Sequence, residues 1–393
     1  MGTGGSTSTE SLAQISLDHP STLNSNSSGY GLSSTESAVE AAAPDLAWRP
    51  PVPRAYRPKI GLIGCGGIAE YHLRACQALG LEVVALCDLD RARAERRREE
   101  FYPGATVTTD YAAVLARDDI ELVDVALHPV ERVAVIEAAL RARKHVLSQK
   151  PFVLDLDVGE RLADLADAQG VRLAVNQNGR WAPHFAYLAA AVQAGLVGRV
   201  ATVDCTLQWD HTWTAGTAFD AIRHLVLFDF GIHWFDLAAN LMRGRRPDRV
   251  WAAVRNTGRQ RMRPPILAHV AVDYADAQVR LAFNGHVQHG QEDRTVVCGE
   301  AGTLRSAGPG LSEQTVWVHT AAGRAQAPLT GTWFTHGFQG AMGELLVAIE
   351  EGREPLHGAR GNLDTLALCF AALHSADAGA PVVPGTIRRA VSG

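Results

Sequence analysis

An α/β fold in two parts is predicted: a parallel sheet wound on both faces, then an α+β part built on one mostly antiparallel, open sheet. Three observations carry this expectation. A strand, a glycine-rich turn and an amphipathic segment follow one another over residues 58–79. Strands and helices then alternate as far as Val175, and beyond about residue 178 strand candidates crowd together with few helices between them.

Residues 1–56 come first and are a different material. Ser, Thr, Gly and Asn dominate, and Pro50, Pro51, Pro53 and Pro58 stiffen the approach to the first strand. So few large apolar side chains cannot offset the entropy of ordering, and a disordered low-complexity tail is expected. An arm wrapping a neighbouring subunit is the functional alternative. A basic n-region and a continuous apolar h-region are both missing, which argues against a secretory signal.

Residues 57–177 form the expected nucleotide-binding domain. The apolar run Lys59–Ile63 reads as a buried strand, broken by Gly64-x-Gly66-x-x-Ala69 where a helix begins. The first glycine turns the chain out of the strand, the second lets the backbone approach a pyrophosphate, and the small third residue packs helix on sheet. The N–H groups of Gly66, Gly67 and Ile68 then face the phosphates at the positive end of the helix. Leu81–Cys87 is the second strand and ends in Asp88, where a carboxylate meets the ribose hydroxyls of a dinucleotide. This is the Rossmann order. An acid at that point favours NAD, while Arg91 nearby keeps NADP possible. Thr106–Thr108, Leu122–Leu127, Lys144–Leu147 and Val171–Val175 follow as strands, and Tyr111–Leu115, Glu131–Ala142 and Asp155–Ala168 as helices.

Residues 178–393 form the expected substrate-binding and oligomerisation domain. Strand candidates are Val200–Trp209, Val250–Arg255, Ala268–Tyr274, Val279–Phe283, Thr295–Cys298 and Thr315–Thr320; helices are Gly340–Glu351 and Leu363–Ala376.

Composition narrows the function classes. Five acids (Glu10, Asp18, Glu36, Glu40, Asp45) precede the first basic residue, Arg49, and equal the whole net charge of −5. The balanced remainder offers no basic field for nucleic acid, and no apolar run is long enough to span a membrane. The six cysteines contain no CxxC pair, as expected for reduced core thiols in a cytoplasmic protein. His211, His224, Asp229 and His233 crowd one stretch, but their spacing fits no metal motif, and none is expected.

Three short elements carry the chemistry. Gln149-Lys150-Pro151 closes the nucleotide domain, Asn178-Gly179-Arg180-Trp181-Ala182-Pro183 follows, and Asp229, Gly231, His233 and Asp236 form Asp-x-Gly-x-His-x-x-Asp. In this order, behind a dinucleotide fold, they resemble the glucose–fructose oxidoreductase/inositol dehydrogenase/MocA (Gfo/Idh/MocA) family over nearly everything from Pro58 onward. The resemblance implies an NAD(P)-dependent dehydrogenase acting on a secondary hydroxyl of a sugar, cyclitol or related polyol, with Lys150, Asp229 and His233 as the catalytic set. It also implies a homodimer or homotetramer joined through the open sheet face.

The residue types suit that work. Histidine takes a proton near neutrality, and Asp229, four residues before His233, shares a helix face with it. A lysine just past a strand stabilises a developing alkoxide. Arg180, Asp229, His233 and the Trp209–Trp213 segment are expected substrate contacts, and His128, Gln149 and Lys150 cofactor contacts. Two departures mark a divergent subgroup. His128-Pro129-Val130 stands where many relatives have Thr-Pro-Asn, and Gln149 stands where they have glutamate. Two competitors share the fold: an enzyme that cleaves glycosides through a transient keto-sugar, and a nucleotide-binding sensor without turnover.

Overall fold

The computed structural model describes Met1 and residues 39–390. From β1 (Lys59–Ile63) the chain enters α1 (Ala69–Ala78), then β2 (Glu82–Cys87), α2 (Arg91–Phe101), β3 (Thr106–Thr108) and α3 (Tyr111–Leu115). It continues through β4 (Leu122–Val125), α4 (Pro129–Arg141), β5 (His145–Ser148), α5 (Leu156–Gln169) and β6 (Leu173–Val175). The six strands are ordered β3-β2-β1-β4-β5-β6, all neighbours parallel. The order reverses between β1 and β4, where open parallel sheets hold their ligands at the strand C-termini. Every residue of β4 and β6 is buried, because helices cover both faces. Turn chemistry sets the helix ends: Asp90 and Asp155 cap α2 and α5 with side-chain oxygens, and Gly170 ends α5 in the left-handed region at φ 68°.

The second half starts with α6 (Pro183–Gln193), β7 (Val200–Gln208) and α7 (Ile232–Leu241). Strands β8 (Pro247–Arg255), β9 (Leu267–Tyr274), β10 (Ala277–Asn284), β11 (Glu292–Gly299), β12 (Gly302–Gly310), β13 (Glu313–Thr320) and β14 (Gly323–Gln326) follow. With β7 they form one eight-stranded sheet, ordered β14-β13-β12-β11-β7-β10-β9-β8, antiparallel except for β7 with β10. Burial alternates along β7 and β9, so one face packs on helices and the other is open. Helices α8 (Phe338–Glu350) and α9 (Ala359–Ala378) close the chain.

Three expectations are corrected. The tail does not run to residue 56. Trp48 is buried, Glu40 pairs with Arg324, and the Tyr187 hydroxyl donates to the Pro44 carbonyl at 3.0 Å. The Glu350 carboxylate accepts from the Arg54 and Ala55 N–H groups. One tryptophan and a few backbone bonds suffice to anchor this stretch, which averaged composition conceals; residues 2–38 lie outside the described residues. Second, β12, β14 and α6 were not anticipated. β12 has three glycines and a proline, and only its pairing with β11 and β13 makes it a strand. Third, the second half does not stay apart from the first. Met342, Leu345 and Leu346 of α8 share a core with β1 and β2, and α9 packs on α5.

Candidate active site

The glycine turn is built as a dinucleotide demands. Gly64 has φ +98°, and a Cβ there would lie 2.6 Å from the Ala126 carbonyl oxygen, so only glycine fits. A Cβ on Gly66 or Gly67 would meet nothing within 4 Å, leaving their backbone open to an approaching ligand. Ile68 precedes α1 and no side chain caps that helix, whose first N–H, of Ala69, turns back to the Gly66 carbonyl at 3.3 Å. Asp88 accepts from the Cys65 N–H at 2.8 Å and the Asp90 N–H at 2.9 Å, placing its carboxylate beside the turn. A cavity of about 580 Å³ lies here, lined by Cys65, Gly66, Gly67, Arg93, Arg96 and His128 among others. The structure thus brings Gly66, Gly67 and His128 to one cavity, with Asp88 bound to its edge.

Lys150 leaves the end of β5 through a cis Lys150–Pro151 bond. Its Nζ donates to the Asp229 main-chain oxygen at 3.0 Å and stands 3.5 Å from the Asp229 carboxylate. Asp229 lies on a π-helical turn, Val226–Phe230, immediately before α7, so the helix changes pitch between Asp229 and His233. Such turns recur at functional sites. Gly231 permits it, since a Cβ there would lie 2.7 Å from the Val226 carbonyl oxygen. His233 is half-buried, and its Nδ1 is enclosed without a partner. Burial, then the Lys150 charge, hold its pKa well below the usual histidine range. The ring is therefore neutral and keeps a free lone pair, while burial and Lys150 make it a weaker base than an exposed histidine.

Several supporting residues were not anticipated. Trp333 stands edge-on to His233, with centroids 5.2 Å apart, and its indole N–H donates to Asn178 at 2.6 Å. Gly179 makes room, since a Cβ there would lie 2.9 Å from the Trp333 ring. The fully buried Arg132 donates to the main-chain oxygens of Leu127, Gln149, Lys150 and Pro151, clamping the segment that presents Lys150. Burial pushes its pKa down to about 9. Arg132 follows the His128-Pro129 departure by three residues, and an arginine among the apolar positions of α4 is the signal that could have found it.

Two expected contacts are corrected. Arg180 is not available to substrate. It binds the Asp236 carboxylate through two hydrogen bonds, at 2.6 and 2.7 Å, and its remaining terminal nitrogen donates to the Leu356 carbonyl. Thr365 completes the pair from α9. Gln149 is turned inward, toward His72, rather than toward a cofactor. In the Trp209–Trp213 segment, Trp209 packs on Trp234 while Trp213 is 55% exposed. His211 stacks on Phe230 at 4.3 Å and His224 pairs with Asp377, so this stretch does not converge. Among the described residues no group of three or more His, Cys, Asp or Glu side chains is placed to hold a metal, and no helix is long and apolar enough to cross a membrane. A larger cavity, about 790 Å³, opens beside Arg180 and Arg243 and includes none of Lys150, Asp229 or His233. Size alone does not locate the chemistry.

Comparison with known proteins agrees with this architecture. Residues 58–177 match the family model described as "Oxidoreductase family, NAD-binding Rossmann fold", and residues 185–305 match the GFO/IDH/MocA C-terminal domain. The chain is 27% identical over 356 residues to D-apiose dehydrogenase of Paraburkholderia graminis, covering 82% of this chain and 89% of that protein. It is 27% identical over 303 residues to inositol 2-dehydrogenase of Acidothermus cellulolyticus, covering 75% and 85%. An oxidoreductase from Agrobacterium radiobacter, solved with NAD+, L-tartaric acid and magnesium, superposes with a TM-score of 0.74 at 22% identity, covering 84% and 98%. A putative myo-inositol dehydrogenase from Sinorhizobium meliloti gives 0.70 at 24% identity, covering 84% and 100%. With both halves matched in order, the chain belongs to the Gfo/Idh/MocA family of oxidoreductases and carries its NAD-binding Rossmann domain.

Proposed function

We propose that the protein is an NAD-dependent dehydrogenase that oxidises a secondary hydroxyl of a sugar, cyclitol or related polyol. The carrying observation is the contact of Lys150 with Asp229, four residues before the half-buried His233, where the nucleotide domain meets α7. Bound NAD supplies the hydride acceptor. His233 takes the hydroxyl proton through Nε2, since Nδ1 is enclosed. The Lys150 ammonium stabilises the developing alkoxide, and Asp229 holds that ammonium in place. The hydroxyl carbon becomes a ketone as its hydride leaves. Asp88 beside the glycine turn supports NAD over NADP, because a carboxylate there repels a 2′-phosphate. Trp251 is 44% exposed on strand β8, which supports assembly through the open sheet face as a homodimer or homotetramer. The free cysteines support a cytoplasmic setting.

The test is NADH absorbance with purified protein, NAD or NADP, and a panel of cyclitols, aldoses, sugar phosphates and glycosides. NADH formation with one class supports the reading and selects the substrate. Silence across the panel with NAD bound overturns it in favour of cofactor recycling or sensing.

A further inference from the structure

Beneath Lys150 lies a buried polar chain that the proposed reaction does not use. His72 of α1, Asp124 of β4, Gln149 after β5 and Asn176 after β6 are 2%, 1%, 5% and 0% exposed. The Gln149 side-chain oxygen accepts the Lys150 main-chain N–H at 2.6 Å, which decides which end of that amide is oxygen. Gln149 Nε2 therefore faces His72 Nε2, at 3.2 Å, and Asn176 Nδ2 reaches the same nitrogen at 3.2 Å. Amide nitrogens only donate, so His72 Nε2 carries the lone pair and its proton sits on Nδ1. Nδ1 in turn donates to Asp124 Oδ2 at 2.8 Å. Phe338 of α8 closes the far side, edge-on to the imidazole at 5.1 Å.

We infer that His72 is a positioning residue for Lys150, holding the Gln149 amide that in turn fixes the Lys150 main chain. The inference rests on the reading of Lys150 as catalytic. It also gives the glutamine at 149 a reason. A carboxylate there would set lone pair against lone pair unless His72 took a second proton. Glutamine lets the chain close with a neutral ring, and so keeps a proton-dependent switch out from under Lys150. The ionisable groups around the imidazole are Asp124 from β4, Cys76 one turn along α1, and Lys150 beyond Gln149; α8 presents the Phe338 ring.

The test combines substrate-free and kinetic readouts on the full chain with NAD. In ¹⁵N-histidine spectra, His72 is expected as the Nδ1–H tautomer. His72→Phe keeps the ring but removes donor and acceptor. It is expected to speed Lys150 amide exchange about tenfold or more and to lower kcat about 10- to 100-fold, with NAD affinity kept. His72→Gln, which offers one donor and one acceptor, is expected to restore both. Gln149→Glu, which sets a carboxylate oxygen against the His72 Nε2 lone pair, is expected to lose activity with rising pH, a limb the parent lacks. An Nε2–H tautomer in the parent overturns the inference. So do unchanged Lys150 exchange and kcat in His72→Phe, or no recovery in His72→Gln. Should His72→Phe not fold, the Gln149→Glu pH limb decides. If no substrate is turned over by the parent, the dehydrogenase reading fails alone, while tautomer and amide exchange still judge the chain.

Discussion

The six-stranded sheet prepares its ligand site with main chain, whereas the eight-stranded half brings side chains. At the first site the decisive features are the φ of Gly64, the open backbone of Gly66 and Gly67, and an uncapped helix start. At the second they are Asp229, His233 and Trp333, held by packing from distant segments. Backbone sites are written in local sequence, because a turn needs particular residues at consecutive positions. Side-chain sites depend on what the rest of the chain packs against them. Lys150 sits where the two kinds meet.

Four substitutions separate these contributions, in falling order of effect. Lys150→Met is expected to lower kcat about 10²- to 10⁴-fold while leaving NAD affinity within about threefold, measured by steady-state kinetics and calorimetry. Loss of both together would mean that Lys150 serves the cofactor rather than the chemistry. Arg180→Met strands the buried Asp236 carboxylate and is expected to cost about 3–5 kcal/mol in urea unfolding. A stable variant with raised KM would return Arg180 to the substrate. Gly64→Val places a β-branched residue at positive φ against Ala126 and is expected to weaken NAD binding about 10- to 100-fold, read by calorimetry. Unchanged affinity would remove the backbone account of that turn.

The smallest effect lies in the eight-stranded half. Asp293 is buried, one of its oxygens lacks a partner, and burial, then Glu292, push its pKa up to about 7. A carboxyl raised in the folded state stabilises most below its unfolded pKa, and that contribution is lost as pH rises through the folded value. Stability is therefore expected to fall as pH rises from about 4 to about 7 and to level off above that, with about 1 kcal/mol of the fall left beyond pH 6.5. Asp293→Asn is expected to abolish that slope in urea midpoints taken across the range. A slope that persists would assign it to another group.

The same contrast decides what was legible in the sequence. Parallel order, the glycine turn, Asp88 and the strand before Lys150 follow from local patterns, and the structure places them as the patterns imply. The family order also brought Lys150 together with Asp229. Arg180 misled, because an arginine following Asn178-Gly179 looks the same whether it meets a substrate or Asp236, fifty-six residues away. Trp333 and His72 were invisible for a related reason. Trp333 sits in a segment without helical or strand periodicity, and His72 reads as one more residue of an amphipathic helix. Their partners, Asn178 and Gln149, are 155 and 77 residues distant. Trp48 was lost to averaging over a polar stretch.

The return of α8 and α9 to the nucleotide-binding half bears on modularity. Leu147 and Ala174 share a core with Met342, Leu345 and Leu346, and Leu156 donates its N–H to the Arg388 carbonyl at 2.7 Å. A cut after residue 177 would leave those apolar faces wet and strip α5 of its cover. The dinucleotide-binding half is thus not a cassette that can be lifted out and grafted elsewhere. Its integrity rests on α8, α9 and the segment that returns to α5 at Arg388.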